Sequence, residues 1–222
     1  MTKFQTRFVS AVVMFPPVVC LVYLGGYSFA ALLAVTFVIS VYEWVRMALR
    51  TRHAYVLCAL GLLYLAGSYY LFYLLREMQH IGLTMTVLAF FSVWASDSFA
   101  YIFGKILKGP KLLPKVSPNK TIAGLMGAVF GPVLILSVGK GLLDYFEIHE
   151  PDMSYMFIIS LGCVIGVIAQ AGDLLISAFK RAANVKDSGN IIPGHGGLLD
   201  RIDALLLAAP AFYLATITFL VT

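Results

Sequence analysis

Residues 154–176 read SYMFIISLGCVIGVIAQAGDLLI and residues 177–203 read SAFKRAANVKDSGNIIPGHGGLLDRID, and the contrast between these two pieces decides the fold. The first is apolar with a single charge, Asp173, and long enough to cross the hydrocarbon core of a bilayer, which takes about 20 helical residues. The second gathers Lys180, Arg181, Lys186, Asp187, His195, Asp200, Arg201 and Asp203 into a short polar island before the chain turns apolar again over 204–221. Cations suit phosphate, carboxylates suit a metal, and glycines let the backbone approach a ligand closely. Between two membrane helices, that mixture has the composition of a site for a phosphorylated substrate.

Outward from this stretch the apolar pattern recurs at 121–143, 81–103, 54–75, 28–49 and 8–24, so seven spans are expected. The 222 residues are 60% hydrophobic and only 12% charged, with a mean hydropathy of +0.90. Soluble domains carry about a quarter charged residues. The fold class expected is therefore all-α, a polytopic membrane helical bundle of about seven transmembrane helices with a cytoplasmic N-terminus. With no repeat or linker evident, residues 1–222 read as a single integral membrane domain. Within it, 1–80 form scaffold helices and 81–222 form the catalytic helices and cytoplasmic loops. Pro16 and Pro17 predict a kink in the first run, or a pair of short helices dipping into one leaflet. Lys3 and Arg7 ahead of an apolar stretch resemble a leader, but no clear small-x-small cleavage site precedes the next span.

In a soluble protein the net charge of +5 would raise the question of nucleic acid; here its distribution matters more, and no nucleic acid partner is expected. With the N-terminus inside, every one of the 16 Lys and Arg falls in an inner segment except Arg76 and Lys140. The positive-inside rule then places 104–120 and 177–203, the two long polar connections, in the cytoplasm. The acidic loop 144–152, with Asp144, Glu147, Glu150 and Asp152, falls outside. Cys20, Cys58 and Cys163 lie far apart within spans, and His53, His80, His149 and His195 are scattered, so neither disulfides nor a His- or Cys-based zinc site are expected.

Acids inside membrane helices are functional candidates because a charge at the helix centre costs about 2.5–3.5 kcal/mol on insertion scales. Asp97, Tyr101 and Lys105 recur at i, i+4 and i+8 and share one helical face, fit for a common ligand, although a helix-end ion pair with a snorkelling lysine accounts for them as well. Asp173 is followed at helical spacings by Ser177, Lys180 and Arg181, and Asp200 opens the last span one turn before Asp203. One helix descends to the cytoplasm and the next leaves it, so Asp173 and Asp200 can face each other at one depth, as Mg²⁺ requires. A buried pair neutralised by Lys180, Arg181 and Arg201 is the alternative. His195, between Pro193 and Gly196-Gly197, either donates to a phosphate or holds its loop. Ser117 or Asn119 would cap the fifth span, whose N-terminus with Lys120 and Thr121 makes an anion site. Glu43 reads as an ion pair with Arg46 or an interfacial anchor.

The spacing Ser177-x2-Lys180-Arg181-x4-Lys186-Asp187-x-Gly189-x3-Pro193-x-His195-Gly196-Gly197-x2-Asp200-Arg201-x-Asp203 closely resembles the signature of the phosphatidate cytidylyltransferases, or CDP-diacylglycerol synthases. Two further blocks are similar to the same family: W-x-x-D-x-x-A-Y-x-x-G over 94–104 and S-P-x-K-T-x-x-G over 117–124. The second departs from the usual pattern at Asn119 and Ala123, so neither is assigned a role.

The resemblance implies transfer of CMP from CTP to phosphatidic acid, giving CDP-diacylglycerol and pyrophosphate. It implies Mg²⁺ or another divalent cation held by Asp173 and Asp200, and leaves a monovalent cation beside it open. Lys180, Arg181 and Arg201 would clamp phosphates. Asp97, Tyr101, Lys105, Ser117, Lys120, Thr121, Ser177, Lys186, Asp187, His195, Gly196, Gly197 and Asp203 would line the nucleotide and headgroup cavity. It also implies a homodimer and a bacterial inner membrane location with the site facing the cytoplasm. Two rivals are a cytidylyltransferase or CTP-dependent kinase acting on another lipid, and an ion-coupled transporter. The last would place its acids near the midplane within a pseudo-symmetric repeat, and no repeat is evident.

Overall fold

The computed structural model describes residues 3–147 and 153–221. His149, Glu150 and Asp152 of the acidic loop, and the side chains of Lys3 and Arg7, lie outside that description. The chain forms α1 (Lys3–Leu24), α2 (Gly26–Ala48), α3 (Ala54–Glu77), α4 (Gly82–Ile106), a hairpin of β1 (Lys111–Leu113) and β2 (Ser117–Thr121), then α5 (Ile122–Tyr145), α6 (Tyr155–Ala182) and α7 (Leu199–Val221). The all-α expectation thus holds apart from the small hairpin, and the helices α2 to α7 are each long and apolar enough to cross a membrane. This is an integral membrane protein. Exposed side chains such as Val13, Leu63 and Met156 present the apolar surface that hydrocarbon requires.

α1 differs from the other six. Its stretch Val12–Leu24 forms a shorter apolar helix among the described residues, and the helix is anchored at both ends of the bundle. Near its start the Ser10 hydroxyl donates to Pro193 O at 3.2 Å and lies 2.9 Å from His195 Nδ1. At its end Arg76 donates from Nε to Val22 O at 2.7 Å and from Nη2 to Tyr23 O at 2.8 Å. The last carbonyls of a helix have no partner within it and carry a partial negative charge, so a cation belongs there. The neighbouring Glu77 does the converse for α2, accepting from Gly26 N at 2.9 Å. Gly25 turns the chain between the two helices at φ +65, where a side chain would also strike the Arg76 guanidinium. α1 runs unbroken through Pro16 and Pro17, so the pair of short helices is not formed.

Apolar burial does little to hold helices together in lipid, so close packing must do it. α5 and α6 supply glycines where neighbours touch. A side chain at Gly131 would meet the Ala95 carbonyl of α4 at 2.6 Å, and one at Gly166 would meet Ala128 O and Val129 Cα of α5, each at 2.5 Å. One at Gly172 would meet Asp203 O of α7 at 2.7 Å. α4 through α7 are therefore stacked backbone to backbone.

The connection between α4 and α5 is a structured hairpin, with Lys111 paired to Thr121 and Leu113 to Ser117. This corrects the expected cap. Ser117 and Asn119 lie in β2, and Thr121 Oγ1 accepts from Gly124 N at 3.0 Å instead. Thr121 is the last extended residue, with φ −122 and ψ 160, and only a residue at that junction can turn its hydroxyl back over the first helical turn. Pairs of helices separate the connections 49–53, 107–121 and 183–198, so all three emerge on one face. Which side of the membrane that face occupies follows from charge, not from the coordinates.

Candidate active site

At that face, α4, β2, α6 and α7 bring the charged residues together. Lys120, at the end of β2, forms an ion pair with Asp173 Oδ2 at 2.5 Å and donates to Gln170 Oε1 at 2.8 Å. Gln170 in turn approaches Asp97 Oδ1 from Nε2 at 3.5 Å, a loose contact. Asp173 Oδ1 accepts from Ser177 Oγ, one turn on, at 3.1 Å. Asp173 lies near enough to act electrostatically on both Asp97 and Asp203, because Gly172 packs against the Asp203 backbone. Asp97, Asp173 and Asp203 thus share one basin, with Lys120 paired inside it and Lys180 and Arg201 within electrostatic reach of Asp203 and Asp97 respectively.

Asp200 sits in a second cluster at the N-terminus of α7. Its Oδ1 takes the Lys180 ammonium at 2.6 Å. Its Oδ2 accepts from Ser188 N at 2.9 Å, Ser188 Oγ at 3.1 Å and Gly197 N at 3.0 Å. A carboxylate in the first turn of a helix is also favoured by the helix dipole. Asp173 and Asp200 are therefore each matched to a different lysine from a different element.

The loop 183–198 is folded on itself. Ile192 N donates to Gly196 O at 3.0 Å and His195 N to Ile192 O at 2.9 Å, with Gly194 at φ 76 and Gly196 at φ 89. Side chains rarely take these angles, which is why glycine stands there. Arg201 donates to His195 O from Nε at 3.2 Å and from Nη2 at 2.8 Å, so the His195 backbone is held by the guanidinium and its ring meets Ser10. Arg181 ties the end of α6 to the hairpin through Val116 O at 3.3 Å and to Val185 O at 3.2 Å.

Other candidates lie apart from the basin. Tyr101 is 67% exposed and stacks under the Lys105 ammonium at 5.6 Å, so the shared face of α4 divides: Asp97 turns to Gln170, and Tyr101 and Lys105 turn to each other. Lys186 and Asp187 line a polar cavity of about 250 Å³ with Arg46, Arg50 and Asn190. Ser117 is half-buried in β2. Three residues escaped sequence reasoning: Gln170, Ser188 and Ser10. An amide within an apolar helix was an available signal for Gln170. For Ser10 none existed.

Glu43 is the largest correction. It is fully buried rather than interfacial, and its carboxylate accepts from Ser188 Oγ at 2.8 Å, Leu198 N at 2.9 Å and Leu199 N at 2.9 Å. The expectation of an Arg46 partner or an interfacial anchor gives way because a buried carboxylate needs several hydrogen bonds, and the exposed N–H groups at the start of α7 supply them.

Carboxylate oxygens suit a hard divalent cation, and Mg²⁺ takes one or two of them with water and phosphate completing its shell; Asp173 and Asp203 lie together in the basin, and Asp200 would give up its Lys180 contact to join them. Among the described residues no three acidic or His/Cys side chains converge as a ready-made metal cage.

Residues 50–219 match the model of the "Cytidylyltransferase family". A phosphatidate cytidylyltransferase from Rickettsia typhi is 42% identical over 174 residues, covering 77% of this chain and 73% of that one. Proteins of the same name from Bacillus subtilis and Staphylococcus aureus are each 36% identical over 69% of this chain and 55% of their own length. With a family model spanning most of the chain and a relative at this identity, the membrane bundle described above belongs to the cytidylyltransferase family.

Proposed function

We propose that this chain transfers the cytidylyl group of CTP to phosphatidate, releasing pyrophosphate and forming CDP-diacylglycerol, with the polar face of the bundle in the cytoplasm of a bacterial inner membrane. The observation that carries the lipid half of this reading is the junction of the polar loop with an apolar cavity. A space of about 560 Å³ opens between α1 and the loop, with Ser10, His195 and Arg201 at its polar edge and Val12, Phe15 and Val18 along its wall. Through Met14, Val18, Ile192 and Leu198 it adjoins a second apolar cavity of about 330 Å³ reaching Phe29, Phe72 and Leu206. A ligand with a phosphate and long apolar chains fits such a junction; a soluble nucleotide alone does not need it.

The phosphatidate oxygen is already anionic and attacks the α-phosphorus of CTP. A P–O bond forms there as the bond to the β-phosphate oxygen breaks, and pyrophosphate leaves. No strong base is required. The obstacle is bringing two anions together, so catalysis rests on positioning and on charge neutralisation. Lys180, Arg181 and Arg201 are the proposed phosphate clamps, Arg201 being held ready at the cavity edge by the His195 carbonyl. Lys120 and Asp97 border the proposed nucleotide side. Asp173 and Asp200 are the proposed carboxylates for the divalent ion, with Asp203 beside Asp173. When bound, that ion would neutralise charge on the phosphates. A second copy of the chain as partner belongs to the same proposal.

Purified protein given CTP labelled at the α-phosphate is expected to label phosphatidate and not a polyprenol, and to lose this activity in excess EDTA or as Asp200→Asn. Label passing from γ-labelled CTP to a polyprenol would instead make it a lipid kinase. Full turnover in EDTA would remove the metal role.

A further inference from the structure

We infer that Glu43, on α2, is a positioning residue for Asp200; the inference rests on the proposed reading only in giving Asp200 a metal to hold. Glu43 has no exposed surface, and its two oxygens are shared between the interior and the end of the polar loop. Oε2 accepts from Ser188 Oγ at 2.8 Å and Leu199 N at 2.9 Å, and Oε1 accepts from Leu198 N at 2.9 Å. The carboxylate therefore ties Ser188, within the loop, to the loop's exit and takes up the orphan N–H groups where α7 begins.

Two glycines of the loop are shaped to it. A side chain at Gly197 would fall 2.6 Å from both Glu43 oxygens, and one at Gly189 would fall 2.5 Å from Oε1. Ser188 completes the link: its hydroxyl lies between Glu43 Oε2 and Asp200 Oδ2, at 2.8 and 3.1 Å, while its amide holds the same Asp200 oxygen at 2.9 Å. A single hydroxyl proton serves one carboxylate at a time, so Ser188 is aimed by Glu43 while its N–H aims Asp200. Glu43 contacts neither a proposed substrate-binding side chain nor Asp200 itself through any of these bonds. Its effect passes through Ser188 and the first turn of α7.

The test uses the purified full chain in nanodiscs. Glu43→Gln keeps the volume but turns an NH₂ toward groups that are themselves donors. It is expected to unfold cooperatively and to bind Mn²⁺ about 10- to 100-fold more weakly, as read by electron paramagnetic resonance without substrate, the range for losing a group that orients a metal ligand. In turnover, kcat is expected to fall with KM for CTP changed by less than about twofold, the pattern of a lost transition-state interaction. Glu77→Gln removes a carboxylate–amide bond at the opposite end of the bundle and is expected to leave Mn²⁺ binding at the wild-type level. If Glu43→Gln does not accumulate folded, Ser188→Ala breaks the bridge alone and is expected to weaken Mn²⁺ about tenfold.

Wild-type Mn²⁺ affinity in a folded Glu43→Gln or Ser188→Ala protein overturns the inference, as does equal weakening by Glu77→Gln or a wild-type chain that binds no Mn²⁺. Glu43-dependent Mn²⁺ binding in a wild-type protein that fails to label phosphatidate would keep the inference and remove the proposed reaction.

Discussion

Helices α4 to α7 set glycines against the main chain of the next helix and add rings, such as Phe99 on Phe130 at 5.4 Å, whereas α2 meets α3 through rings. In the first group Gly131, Gly166 and Gly172 each face a main-chain atom of the next helix. In the second, Phe29 packs edge-on to Phe72 at 5.5 Å and Phe37 to Tyr69 at 5.4 Å, and Trp44 of α2 reaches across to tilt against Phe179 of α6 at 4.4 Å. Gly61 of α3 makes room for a ring, the Trp44 indole, rather than for a backbone. Backbone contacts allow almost no sliding, so the half that brings Asp97, Asp173 and Asp203 together is the half with fixed register. Rings leave gaps between them, and three apolar cavities lie against α1, α2 and α3, one of them walled on its other side by Phe90 of α4 and Leu205 and Leu206 of α7. The rigid half holds charges in place; the looser half has room for hydrocarbon.

Three substitutions test that division, in falling order of effect. Asp173→Asn, in the rigid half, is expected to cut cytidylyl transfer about 10³-fold, roughly 4 kcal/mol of barrier, with the thermal unfolding of the detergent-purified protein unchanged. A fully active variant would take Asp173 out of the chemistry. Gly166→Leu is expected to cost about 3 kcal/mol of stability, at the upper end for overpacking, because its first added carbon already meets Ala128 O and Val129 Cα. Its readout is the unfolding midpoint, and a shift no larger than that of a ring variant in α2 would erase the contrast between the halves. Phe29→Leu is expected to cost only about 1 kcal/mol, since neighbours lining an existing cavity can relax into the space, and to alter acyl-chain preference more than rate. A Phe29→Leu protein that failed to fold would show the aromatic half to be as tightly packed as the other.

Glu43 is where the two halves are joined. It belongs to α2, in the stretch read as scaffold, yet its hydrogen bonds run to Ser188, Leu198 and Leu199 in the polar loop. An acid beside Arg46 near the end of a membrane helix is indistinguishable, in sequence, from a surface ion pair. Two of its three partners are backbone N–H groups more than a hundred residues away, and backbone donors leave no mark on side-chain identity. Ser10 escaped for a similar reason, as one serine in an apolar run. Ser117 and Asn119 were mistaken for caps because both are good cap residues, and only the hairpin register shows that the helix starts later, at Thr121.

What the sequence determined by itself was the membrane bundle, the position of the polar loop and the family, because apolar length and fixed motif spacing are local properties that survive without coordinates. The tertiary structure decided which charges meet. Asp173 and Asp200, which the sequence reading sets at one depth facing each other, are matched to Lys120 and Lys180 respectively, and Asp203 rather than Asp200 is packed alongside Gly172. Such pairings depend on how the glycine faces set the depth and rotation of each helix against the next, and a pattern along one helix contains no record of its neighbour's rotation.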